Sequence, residues 1–239
     1  LGPQTRLIIT CEHGGNRIPS ELRSYFRGRE KILNSHRGYD PGALQFARKI
    51  SASLKAPFFY EQISRLVVEQ NRSRGNPRVF SKFVSCLPEE QKQRLLREIY
   101  DPYHEKVFSA AEKAISEGRR VLHFSVHSFT PVLNGEVRNA DTGFLYDPKR
   151  KGEKEICLYL QKYLAEQVPG VRVRRNYPYL GISDGLTKQM RMRYPEKKYL
   201  GIEIEVNQKH YRKKTGMKEK IEESIIGGIA DSIFFPLFS

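Results

Sequence analysis

Short apolar runs rich in β-branched and aromatic residues alternate with helix-periodic segments along most of this chain. That alternation constrains the fold most strongly, because strands separated by amphipathic helices must form a sheet with the helices packed on it, an α/β architecture. The run "RLIITC" (6–11) reads as a buried strand ending in a Gly-Gly turn. In "PGALQFARKISASL" (41–54) the apolar residues fall at helical spacing, with Asp40 placed to cap the start and Pro41 suited to the first turn. "APFFYEQI" and "SRLVVEQN" are short β candidates. From Pro88 to Gly118 the pattern is helical but interrupted near Asp101-Pro102, which predicts two helices or a kink. "RVLHFSVHS" (120–128), "TGFLYDP" and "KYLGIEIEVNQ" (198–208) read as further strands, and "EKEICLYLQKYLAEQV" and the tail "EKIEESIIGGIADSIFFPL" as helices. No repeat, long linker or low-complexity tract divides the 239 residues. The expectation is a single three-layer α/β/α domain with a mixed, mostly parallel central sheet.

Four of the β candidates end in polar residues: "CEHGG", "EQNRS", "SVHSF" and "EIEVNQ". In open α/β sheets ligands bind beyond the carboxyl ends of the strands, so His13, Asn71-Arg72, His127 and Glu205 can meet in one cleft. Two glycines after His13 clear space and let backbone N–H groups approach an anion. His123, four residues before His127 on the same strand, points to the same face but deeper and reads as core. Two imidazoles and one carboxylate make a catalytic zinc site with an open position for water, and the candidate carboxylates are Glu12, Asp40 and Glu205. Glu203 and Glu205 share a strand face. Glu205, nearer the strand end, is the better general base, and Glu203 takes a supporting role.

Charge narrows the ligand class. Forty-two Lys and Arg against 27 Asp and Glu give a formal +15, which draws anions through the summed field. No zinc-finger spacing, RNP-like strand or basic heptad helix accompanies it, so nucleic acid is not the expected partner. The bases concentrate in "RVRRNYPYLGISDGLTKQMRMR" and "KHYRKKTGMKEK". The second reads as a solvated helix start or loop, the first as a loop facing an anionic ligand. No apolar run reaches the roughly 20 residues of a membrane span, and "LGPQTRLIITCEHGG" lacks a leader pattern. Cys11, Cys86 and Cys157 have neither metal spacing nor an even count, and a reducing cytoplasm is the expected setting.

The ordered series His … Asn-Arg … His … Glu resembles zinc hydrolases of the carboxypeptidase and aspartoacylase type. More closely, "CEHGGNRIP", "YDPGA", "EQNRS", "DPYH", "VHSFTP" and "IEVNQ" together are similar to the N-formylglutamate amidohydrolase family, over roughly residues 7–208. The resemblance implies Zn2+ or another divalent metal held by His13, His127 and Asp40, where an acidic residue recurs in similar sequences. Carboxypeptidase-like enzymes carry a Glu ligand three residues after the first His, and here that position is Asn16. Glu12 is the fallback ligand, though on an extended segment it points away from His13. The resemblance further implies Glu205 as base and Asn71-Arg72 as the clamp for a substrate carboxylate. Arg175, with Arg191 and Arg193 as alternatives, is expected to hold a second carboxylate or the oxyanion. Tyr103 and His104 read either as pocket residues or as helix-start and core residues. The implied activity is hydrolysis of an N-formyl or other N-acyl amide of an acidic amino acid such as N-formylglutamate. The alternatives are a zinc peptidase or amidase acting on cell-wall-type peptides, and an anion- or nucleic-acid-binding protein without catalysis.

Overall fold

The computed structural model describes residues 5–212 and 216–234. Six strands form one sheet: β1 (Thr5–Cys11), β2 (Phe58–Tyr60), β3 (Arg120–Phe129), β6 (Thr142–Leu145), β7 (Val173–Arg175) and β8 (Tyr199–Asn207). Their order is β2-β1-β3-β8-β6-β7, and every pairing is parallel except β6 with β8, giving the mixed, mostly parallel sheet. A small hairpin, β4 (Val132–Leu133) with β5 (Glu136–Val137), stands apart; it turns on Asn134-Gly135, both at positive φ, the pairing that tight hairpins favour.

The helices are α1 (Glu30–Leu33), α2 (Ala43–Leu54), α3 (Glu89–Leu95), α4 (Asp101–Ser116), α5 (Lys151–Gln167), α6 (Leu186–Arg193), α7 (Lys209–Arg212) and α8 (Met217–Ser232). Period-two alternation sends Leu7, Ile9 and Cys11 of β1, Leu122, Phe124 and Val126 of β3, and Leu200, Ile202, Ile204 and Val206 of β8 to one face, where α2, α5 and α8 cover them. The other face starts apolar, with Ile8, Val121 and Tyr199 packed under α4 and α6. Towards the carboxyl ends that face turns polar, through Thr10, His123, Ser125, His127, Glu203 and Glu205, all buried. The same alternation that builds the core therefore delivers a polar row into the protein. Helices lie on both faces, as the three-layer expectation requires.

Two local expectations change, and a third is met in a particular way. "SRLVVEQN" is not a strand: the Ser64 hydroxyl donates to Gly38 O and accepts from Leu66 N, so a turn forms, and Leu66, Val67 and Val68 bury into a separate apolar cluster with Leu22, Phe26, Leu87 and Tyr100. Asp40 is not a helix cap, because α2 starts from Gly42, at φ 87°, with no side-chain cap bond. A Cβ at Gly42 would lie 2.4 Å from the Tyr211 ring, so the sharp turn needs glycine, and it leaves the Asp40 carboxylate free for other partners. The interruption near Asp101-Pro102 divides the segment into two helices, α3 and α4, as expected, joined by a π-helical turn, Leu96–Tyr100, which relieves the clash a proline ring makes with the preceding turn. The last residues of the expected tail helix, beyond residue 234, lie outside the described residues. No helix among them is long and apolar enough to cross a membrane.

Candidate active site

The sheet register brings the chemistry together. β3 and β8 pair His127 with Glu205, two neighbours on one face. His13 follows β1, and its carbonyl accepts the Asp40 amide at 3.0 Å, which ties the residue-40 turn to the end of β1. The His13 and His127 rings lie 4.9 Å apart, centre to centre. Both aim Nδ1 at one oxygen: Asp40 Oδ2 is 2.9 Å from His127 Nδ1 and 3.3 Å from His13 Nδ1. The outward nitrogens are held by carboxylates as well. His127 Nε2 lies 3.0 Å from Glu12 Oε2, and His13 Nε2 makes a short bond to Glu69 Oε1.

Those outer carboxylates are themselves anchored. Glu12, fully buried, accepts from Tyr103 Oη at 2.9 Å and Ser125 Oγ at 2.5 Å. Glu69 accepts from Arg65 Nε at 2.8 Å and Nη2 at 2.6 Å, and from the Asn71 amide at 3.0 Å. Burial alone would raise Glu12, Asp40 and Glu69. Contacts with His127 and Ser125 for Glu12, His13 and His127 for Asp40, and Arg65 and His13 for Glu69 outweigh it and hold all three well below the usual carboxylate range. Burial disfavours a charged His127, yet its bonds to Asp40 and Glu12 prevail and push it well above an ordinary imidazole. Glu205 differs from its neighbours: burial first, then Asp40 and Glu203, push it up to about 8 against the pull of His127, and its Oε2 has no hydrogen-bond partner among the described residues.

This donor set fits a divalent cation. One atom each of His13, Asp40 and His127 lies within 4.8 Å of the others, and all three residues are buried. An imidazole nitrogen held by a carboxylate on the far side, as Glu12 and Glu69 hold these rings, is the usual support of a metal-ligating histidine. The surrounding carboxylates outnumber Arg65, so the pocket favours positive charge. Glu12 faces the opposite nitrogen of His127 from Asp40 and serves as the ring's support instead of joining the three.

A cavity of about 250 Å³ opens onto these groups, lined by His13, Asp40, Asn71, Arg72, His127 and Glu205, with Arg65, His36, Tyr179 and Glu203 also on its wall. Arg72 donates from Nη1 to the carbonyls of Asn71 at 2.7 Å and Asp184 at 2.8 Å, and Nε and Nη2 make no hydrogen bond to a described residue. Asn71 accepts from the Leu186 amide, fixing the start of α6. Glu203 accepts from Thr187 Oγ1 at 2.6 Å. His123 sits deeper, between Thr10 and Tyr199, and burial pushes it down to about 4.

The expected second arginine does not line this cavity. Arg175 lies exposed on β7, an edge strand, reaching Tyr146 Oη. Arg191 is buried against Glu153 and two backbone carbonyls, and Arg193 pairs with Glu112 on the surface. His104 stacks on Tyr100 and bonds the Gln70 carbonyl, away from the cavity. The sequence reading missed Glu69 and Arg65. Glu69 stood inside "EQNRS", two residues before Asn71, and Arg65 four residues before it, the spacing at which Arg and Glu meet on a helical turn.

A three-layer α/β protein with a cavity at the carboxyl ends of its parallel strands, where three residues that could hold a metal ion stand beside a buried carboxyl, has the architecture of a hydrolase-type enzyme. Within that class the particular family is clear: the chain belongs to the N-formylglutamate amidohydrolase family, whose model matches residues 5–212. No curated protein sequence gives a significant match. Among solved structures, the chain is similar to a gene product of Agrobacterium tumefaciens at 26% identity and TM-score 0.76, covering 96% of this chain and 92% of that one. It also shares its fold with the N-formylglutamate amidohydrolase of Ralstonia eutropha JMP134, at 16% identity and TM-score 0.70, covering 97% and 95%.

Proposed function

We propose that this protein is a metal-dependent amidohydrolase that removes the formyl, or another small acyl, group from an acidic amino acid such as N-formylglutamate, with zinc or a similar divalent ion held by His13, Asp40 and His127. The observation that carries the reading is Glu205. A buried carboxyl without a partner on Oε2 among the described residues, opening into a cavity beside three converging donors, is costly to keep unless it moves protons. When bound, a divalent cation supplies Lewis-acid polarisation of the amide carbonyl, acidifies water, and as a positive charge brings Glu205 down from about 8.

The chain's own residues supply the rest. Arg72, whose Nε and Nη2 bond no described residue, holds the substrate carboxylate through a two-pronged contact and so fixes the scissile amide within reach of Glu205. Asn71, pinned by the Leu186 amide, keeps that clamp rigid. Glu205 takes a proton from water as the new C–O bond forms at the acyl carbon. It then returns the proton to the amide nitrogen as the C–N bond breaks, releasing formate and the free amino acid.

The test is metal analysis of the purified protein together with formate release from N-formylglutamate, on the parent and on Glu205→Gln. The parent should contain about one divalent ion per chain and turn over. The variant should keep the ion and lose at least about a hundredfold in kcat. Normal turnover by the variant would remove Glu205 from the chemistry. A parent that binds the amino acid without cleaving it would point instead to an anion-binding protein.

A further inference from the structure

Behind one side of the cavity wall, next to Tyr179, Arg138 adds a positive charge that no carboxylate of a described residue pairs with. His36, half-buried, lines the cavity, and its ring makes no hydrogen bond to a described residue. Tyr179 lines it too, and Arg138 lies over the Tyr179 ring at 4.9 Å while donating from Nη1 to its hydroxyl at 3.0 Å. A phenol leaves the guanidinium charge unspent. Arg65 and Arg191, by contrast, are each paired with buried acids. Arg138 and the exposed Arg37 form no ion pair with a described residue. His36 senses this surplus: burial, then Arg138, Arg65 and Arg37, hold it below an ordinary imidazole, with Asp40 the one group acting the other way.

We propose that His36 and Arg138, with Tyr179 as their platform, form a second anion subsite in the cavity, which selects acyl amino acids bearing an acidic group beyond the carboxylate assigned to Arg72. This rests on the hydrolase reading above and replaces Arg175, which lies on the edge strand. The subsite is organised before ligand arrives. The Arg138 amide donates to Pro131 O at 2.8 Å, and its carbonyl accepts from Asn207 Nδ2 at 3.4 Å, at the end of the strand that carries Glu205. Stacking on Tyr179 leaves Nε and Nη2 along the guanidinium edge, the fork that matches a carboxylate. A neutral His36 still offers one N–H, so the subsite does not require its protonation.

The experiment compares kcat/KM for N-formylglutamate and N-formylglutamine, which differ in the distal charge, on the metal-loaded protein. The parent should prefer the acid, and the preference should weaken as salt is added. Arg138→Met should cut the acid-over-amide ratio roughly tenfold or more, mainly through KM, and blunt its salt dependence, while Arg138→Lys retains part of it. His36→Gln gives the same comparison should Arg138→Met fail to fold. An unchanged ratio in both variants, with both substrates cleaved, overturns the subsite. Cleavage of neither substrate by the parent overturns the hydrolase reading itself, and the subsite with it.

Discussion

Glu205 offers the sharpest test of the reasoning, because its burial ties function to stability. In the unfolded chain this carboxyl ionises near 4.5, whereas in the folded, cation-free protein burial lifts it to about 8. A group raised on folding contributes fully below its unfolded value, and the contribution is lost as pH climbs through the folded value. Between pH 4.5 and 8 the unfolded chain has given up its proton while the folded protein keeps it, so folding must take a proton up. At about 1.4 kcal/mol per pH unit, the penalty at pH 7 is at most about 3.5 kcal/mol, reduced where neighbouring charges readjust. Glu205→Gln removes that penalty. Urea unfolding of chelator-treated parent and variant at pH 5, 6, 7, 8 and 9 should show the variant gaining on the parent, by about 1–3 kcal/mol, as pH rises to 8 and levelling beyond it. A stability difference that stays flat across this range would refute the claim that Glu205 is held protonated by burial, and with it the argument that the site stores instability for use in catalysis.

Other perturbations separate support from contact. Glu69→Gln removes the charge behind His13 and leaves Arg65 with Asp40 alone; metal affinity by competition with a chelating dye should fall about 10–100-fold, and an unchanged affinity would leave Glu69 without a role at the centre. Arg72→Ala should lower kcat/KM on carboxylate-bearing substrates at least about a hundredfold; unchanged kinetics would discard the clamp. The ring of His123, pushed down to about 4 by burial between Thr10 and Tyr199, should stay neutral on NMR titration until pH falls near that value. Its stabilising contribution is accordingly present above the ordinary 6.5 and lost as pH falls towards 4, so a ring midpoint near 6.5 would contradict the burial described.

Much of this protein is written locally. Two-residue periodicity fixes which side chains of "RLIITC", "RVLHFSVHS" and "KYLGIEIEVNQ" enter the core, and alternation with helical segments fixes an α/β sheet, because these depend only on neighbours along the chain. The same periodicity placed His127 and Glu205 at strand ends, where a cleft forms. Other features depend on how distant segments return. Asp40 gathers with His13 and His127, and Glu12 backs His127, because the Gly42 turn and the β1–β3 register set the distances. "SRLVVEQN" has a strand's composition but turns at Ser64 to fill a second apolar cluster. Arg175 lies in the basic stretch the sequence favoured, yet the sheet edge carries it away, while Arg138 reaches the cavity wall through Tyr179. Spacing along a chain determines the face a side chain leaves from; the point where several side chains converge is set by strand register and loop closure, which only the folded chain supplies.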